Sequence, residues 1–425
     1  HRGYVRRPLV ARFTLGNLRG IPYRIGFRGL RADGNQESMV EHADYYGFLI
    51  GGDPDTAAGK DWLHGHQALP ERSITGLPEW QTLGGAAAAS GAFPLFLKPR
   101  LIERTAGDYA DRNYLESSLE DDRLTPIPPA WDPGLDGHEP YAFASVDGGV
   151  FNNEPFELAH EVIAGGPGQA LPDTPEDACG SVLMIDPFMA AINNGPPPPT
   201  APYPGTGRLR LLLPPEQQIA PLAQAWLMQS RFKPADLSLA YDENNYNRYI
   251  VAPDGSNSPP AAPYWIASGA LGGFLGFFHE DFRKHDYQLG RRNCQQFLRE
   301  HYTVPKSNEL IKAGRGGFKD GEFCSGDGQY QIIPLVGELA RTEETLLPWP
   351  AGRFDPAQVM PQVTQRLDAV FDFYSRRLAA DFSRKRVLQW LARRALGLAW
   401  ACYGRARLNG AILNALVAAM KLQQL

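Results

Sequence analysis

The chain has 425 residues, of which 43% are hydrophobic and 21% charged, and its net charge is −5. Such a composition belongs to a globular protein with room for one large core or two to three smaller ones. The negative balance argues against a nucleic-acid binder, so no nucleic-acid partner is expected.

The start, HRGYVRRPLV, has no Met and no signal-peptide pattern, so targeting is left open. PLVARFTL, YRIGFRG and ADYYGFLIG predict strands, because aromatic and β-branched residues alternate between turn residues. LGGAAAASGAFPLF predicts a helix packed close to a neighbour, ending at Ser90–Pro94. Residues 123–140 read as a loop, and YAFASVD as the next strand. NNEPFELAHEVIAGG predicts a helix with Pro155 in its first turn. Phe156, Ala159 and Ile163 share one face of it, and Gly165 ends it. SVLMIDPF then reads as a second buried strand, so the order strand–helix–strand predicts a parallel βαβ unit.

The proline-rich stretch 195–205 is the first candidate boundary. Helical stretches follow around 214–230 and 266–302, and residues 345–356 mark a second break. Beyond Pro356 the spacing of Val363, Leu367, Val370, Tyr374 and Leu378 predicts a helix with one apolar face. Three regions result: 1–194, a mixed and largely helical 195–345, and a basic amphipathic helical 346–425.

Cys179, Cys294, Cys324 and Cys402 form no CxxC pair and no zinc pattern, which favours a reducing compartment over a disulfide framework. No apolar run reaches the roughly 18 residues that a membrane span needs. From Ser383 to Leu425 there are eight Lys or Arg and no Asp or Glu. Such a tail either docks on the acidic body or meets an anionic partner such as a membrane surface.

The stretch SVDGGVFNNEP (145–155) carries the chemistry. It ends a strand on Asp147 and turns at once through Gly148 and Gly149, while Asn152 and Asn153 can bond the turn. Alone, DGG is an ordinary turn. Two earlier blocks change its meaning: TLGNLRGIPY (Thr14–Tyr23) and AASGAFPLF (Ala88–Phe96). In this order the chain resembles the patatin-like phospholipases. There an Ala-Ser-x-Ala-x-Pro block precedes an Asp-Gly-Gly/Ala block, matched here by Ala89–Pro94 and by Asp147, Gly148 and Gly149.

The resemblance implies an α/β protein, a three-layer α/β/α core with an added C-terminal helical region. It implies a Ser–Asp dyad in which Asp147 is the base, and Gly148, Gly149 and Asn153 shape the turn that holds it. The serine hydroxyl would attack an acyl ester, and Asp147 would take its proton and return it to the leaving alcohol. The family's oxyanion loop and G-x-S-x-G elbow have no counterpart here, since no serine has a Gly two residues before it. GRGGFKDG (314–321) lies after Asp147 and is a poor oxyanion loop. The chain is therefore expected to be the C-terminal part of a patatin-type core, incomplete at its N-terminus and inert alone. The serine would come from an upstream segment, or from an N-terminal fragment as a separate chain. Ser90, the one serine inside a family block, suits a helix end better than a nucleophile.

The implied activity is lipid acyl hydrolysis of the phospholipase A or lysophospholipase kind, in the cytoplasm or at a membrane periphery. One alternative is a non-catalytic membrane-binding or scaffold protein on a decayed fold of this type, and another is a soluble acyl transferase or esterase with the same dyad. No metal or organic cofactor is implied. The pairs His64/His66 and His279/His285 lack a third ligand at familiar spacing. Arg291 and Arg292, beside Asp286, could hold a lipid phosphate or form an internal salt-bridge and capping cluster. Residues 383–425 could lie on an anionic bilayer with Trp390 and Trp400 at its surface.

Overall fold

A computed structural model describes residues 4–5, 7–26, 36–51, 63–70, 77–94, 97–117, 124–132, 137–153, 155–187, 242–255, 258–260, 262–314, 322–382 and 386–425. The stretches 195–205 and 214–230, and 315–321 of GRGGFKDG, lie outside them. The protein is mixed α/β and divides into two compact units. The first holds 1–184, 204–249 and 308–310. The second holds 185–203, 250–307 and 311–425.

The first unit is organised by a five-stranded sheet of order β3-β2-β1-β7-β4. Its strands are β1 (Leu9–Gly26), β2 (Gln36–Ile50), β3 (Gln67–Leu69), β4 (Arg100–Thr105) and β7 (Pro140–Asp147). A separate hairpin pairs β5 (Tyr114–Ser117) with β6 (Leu124–Ile127). The first two predicted strands are one long strand, β1. It is broken by a bulge in which Gly16 faces Ala43 and Ile21 faces Glu41, so five steps on β1 match two on β2. Asn17 makes the bulge possible. Its side-chain oxygen accepts the N–H groups of Arg19 and Gly20, and Gly20 takes φ +81°.

Alternation sends Leu15, Tyr141, Phe143 and Ser145 to one side of the sheet. Helix α1 (Pro78–Ser90) covers that side, with Ala86 and Ala89 fully buried. Its alanines allow the close packing predicted for LGGAAAASG. Arg12 leaves from the other side and bonds to the Leu158 carbonyl and to Glu161 of α2 (Phe156–Ala164). Helix α2 stops as predicted at Gly165, which is left-handed at φ +94°. Its buried residues are Phe156 and His160, whereas Ile163 is exposed.

The parallel βαβ prediction fails. β7 runs antiparallel to both neighbours, β1 and β4, and β8 (Val182–Ile185) pairs with β9 (Arg248–Val251) in a sheet of its own. After α2, Gly165, Gly166 and Gly168 all take positive φ and turn the chain aside. Nor is β8 a core strand, because Val182 is its one buried residue and Ile185 is 77% exposed.

The second unit is mainly helical. A 3-10 segment, Ala267–Phe277, leads to α3 (Glu280–Gln296), whose Phe282 packs with Leu275, Phe354 and Met420. The chain ends in α4 (Met360–Phe382), α5 (Arg386–Ala399) and α6 (Arg405–Gln423); a π turn at Trp400–Gly404 joins the last two. On α4 the expected apolar face is only half right. Val363 and Leu367 are partly covered, but the inward stripe continues through Phe371, Ser375 and Ala379. Val370, Tyr374 and Leu378 face solvent.

Candidate active site

The three blocks singled out in the sequence meet at the end of β7. Asp147 is the last residue of that strand, opposite Leu15 of β1. Its backbone N–H donates to the Ala92 carbonyl at 3.0 Å, which ties the DGG block to the AASGAFP block. Gly148 is buried against Thr14, the first residue of TLGNLRGIPY. A Cβ at Gly148 would lie 2.3 Å from the Thr14 carbonyl carbon and 2.4 Å from its oxygen. Only a glycine lets the turn come this near the strand backbone. Gly148→Ala should therefore cost about 1–3 kcal/mol of stability, read as a lower urea midpoint at unchanged slope.

Asp147 caps the 3-10 turn Gly148–Val150, with Oδ1 accepting the Gly149 N–H at 2.8 Å. A Cβ at Gly149 would meet the Asn153 side-chain oxygen at 2.6 Å, so Asn153 folds back over the turn. The Asn152 N–H closes it onto the Gly148 carbonyl. Asp147 is half-buried. Burial raises its pKa above the ordinary carboxylate value, and the Gly149 N–H pulls the other way. A carboxylate so placed is a stronger base than a solvated one, yet reachable from outside. Ser90 is the final residue of α1, as the helix-end reading expects.

Behind the turn lies a buried polar network that the sequence did not reveal. Asn17 is fully buried and sits opposite Ser145 on β7. It donates to Asp44 Oδ2 and to the Tyr141 hydroxyl, both at 3.1 Å. Asp44, 3% exposed, also accepts the Tyr109 hydroxyl at 2.8 Å and Arg112 at 3.3 Å. Arg112 lies 3.0 Å over the Tyr45 ring and donates to the Tyr45 carbonyl. Burial first, and the nearby Asp44 charge second, push the Tyr109 pKa well above the usual phenol value. The one sequence signal for this network is an asparagine in the middle of an apolar strand.

His66, His279 and His285 take ordinary structural roles. His66 is buried, and its Nε2 accepts from Arg12 Nε at 3.1 Å. Burial and then the arginines around it, Arg12 first, lower its pKa to about 3. His279 caps α3, and His285 bonds to Asp286 at 2.9 Å. Among the described residues, no group of three or more His, Cys, Asp or Glu is placed to hold a metal ion. Arg291 pairs with Glu344, and Arg292 with Glu343 and the Glu344 carbonyl. Asp286 instead accepts the N–H groups of Ala267 and Ser268. This is the salt-bridge and capping reading of that stretch.

The chain is 33% identical over 414 residues to an uncharacterized protein, y4iI, of Sinorhizobium fredii. The match covers 89% of the chain and 55% of the relative, so the chain spans about half the length of the curated relative it matches. No protein-family model and no solved structure matches. Among the described residues, no helix is long and apolar enough to cross a membrane.

Proposed function

We propose that the chain carries the base of a patatin-type Ser–Asp lipid acyl hydrolase, with Asp147 as that base and a serine outside this chain as nucleophile. The observation that carries this reading is the convergence of the three blocks. Asp147 is held by Ala92 through its backbone, and its turn is pressed onto Thr14 through Gly148. Segments far apart in sequence thus serve to fix one carboxylate at a strand end. The raised Asp147 pKa fits a base, and a layered core is in keeping with α1 packed on one face of the sheet and Arg12 reaching α2 from the other.

In this mechanism the serine hydroxyl attacks the ester carbonyl of a phospholipid or lysophospholipid. Its proton passes to Asp147 and then to the leaving alcohol, and water releases the fatty acid by the same route. Gly148, Gly149 and Asn153 hold the carboxylate at its post. Oxyanion donors would add about 3 kcal/mol each to transition-state binding.

The test is covalent labelling. The longer protein containing this chain is treated with a fluorophosphonate, and the adduct is mapped by mass spectrometry. One serine in a G-x-S-x-G setting outside residues 1–425 should be labelled, with loss of phospholipid hydrolysis. A protein that neither labels nor hydrolyses would overturn the enzyme reading in favour of the scaffold alternative.

A further inference from the structure

The second unit has an apolar surface turned to water. On α5, the residues partly covered by the fold are Gln389, Ala392, Leu396 and Gly397, and the stripe continues into Trp400 of the π turn that follows. No residue of α5 is buried. Its most apolar side is the opposite one: Val387 is 70% exposed, Leu391 50% and Leu398 65%, with Trp390 beside them at 57%. Next to it, α4 exposes Phe373, Tyr374 and Leu378. A cleft of about 330 Å³ between the two helices is lined by Phe371, Tyr374, Ser375, Leu378 and Leu396, with Arg377 and Asp381 at its side. A patch of this kind marks a place where something binds.

Charge says what binds. Of the acids on α4, Asp368 and Asp372 are already engaged, and Asp381 stands at the C-terminal end of the cleft beside Arg377. Asp368 takes Trp400 Nε1 and Arg405, and Asp372 takes Arg376 and Arg393. From Arg386 to the end there is no Asp or Glu. Arg386 stands one turn before Trp390, and Arg394 falls between Leu391 and Leu398, its guanidinium 5.4 Å from the Trp390 ring centre. Two copies meeting by this face would bring like charges together. A dry protein interface would bury Arg394 at its centre without a counter-charge. At a bilayer the same arginine reaches the phosphate level along its own stem while the leucines enter the acyl region.

We propose that the outer face of α4 and α5 docks onto an anionic lipid bilayer. Val387, Leu391 and Leu398 insert, Trp390 lies at the headgroup boundary, and Arg386 and Arg394 meet lipid phosphates. The residues involved do not include Asp147, and the test does not depend on turnover.

The test is co-sedimentation of the chain with vesicles of phosphatidylcholine alone and of equimolar phosphatidylcholine and phosphatidylglycerol. The chain should pellet with the second and stay in solution with the first. The double variant Leu391→Asp/Leu398→Asp should bind at least about tenfold more weakly, since two inserted leucines are lost. Arg386→Glu/Arg394→Glu should do the same, and added salt should release the wild type. These side chains are exposed, so circular dichroism should match the wild type. Wild type that ignores anionic vesicles, or variants that pellet equally, would overturn the proposal. So would a wild-type dimer, seen by sedimentation velocity, that Leu391→Asp dissociates without any vesicle binding. Hydrolysis of a soluble short-chain ester by the longer protein reports on Asp147 separately.

Discussion

If the proposed Ser–Asp dyad operates, Asp147→Asn should reduce phospholipid hydrolysis by about a thousandfold while leaving the fold intact. Asparagine keeps an oxygen for the Gly149 N–H, so the turn survives, but it cannot take a proton. The stability effect should run the other way. Burial raises the folded-state pKa of Asp147 above its unfolded value. The protonated form therefore favours folding, and this contribution is present below the unfolded pKa and lost as pH rises through the folded one. At neutral pH the ionised carboxylate works against the fold. Asp147→Asn removes that penalty, so its melting temperature at neutral pH should equal or exceed that of the wild type. In the proposed mechanism the same shift would move the acid limb of the hydrolysis profile upward from that of a solvated aspartate. A variant with normal rates would exclude Asp147 as the base. A variant that is inactive because it is unfolded would show instead that the carboxylate holds the turn.

The parts of this site that were legible in the sequence are the local ones. Ser90 and Pro94 close α1 through short-range backbone rules, and Gly165 ends α2 because a left-handed residue is needed there. The strand ending at Asp147 was readable from its alternation. Strand partners were not. β7 lies between β1 and β4, and nothing near residue 147 encodes that Leu15 will stand opposite it. The antiparallel order thus replaced the parallel one that a strand–helix–strand pattern suggested. Helix faces show a related gap. Periodicity found the apolar stripe of α4 but could not tell which way it points, and Tyr374 and Leu378 point to solvent. The Asn17–Asp44–Arg112 network was hidden for a similar reason. Its members are scattered from residue 17 to residue 141, and Asn17 alone stands out in its own stretch.

Asp44→Ala should destabilise the first unit strongly, by about 3–5 kcal/mol. The carboxylate accepts from Asn17, Tyr109 and Arg112, and it also takes the Tyr45 N–H through Oδ1. Alanine would leave the buried Arg112 without its closest counter-charge, since Asp111 Oδ1 lies 3.9 Å from Arg112 Nε. It would also leave the Asn17 amide and the Tyr109 hydroxyl without their shared acceptor. Tyr109→Phe removes a single donor to the same carboxylate and should cost about 1.5 kcal/mol, which sets the scale. Urea unfolding of the three proteins, followed by far-ultraviolet circular dichroism, should rank them wild type, Tyr109→Phe, Asp44→Ala. Similar midpoints would mean that water replaces the lost partners and that the network contributes little. The contrast with Asp147 separates two kinds of buried acid in one sheet. Asp44 is surrounded by donors, and its removal should weaken the fold. Asp147 has one donor and an open side, and its removal should cost activity while the fold holds, the pattern expected of a carboxylate kept for chemistry.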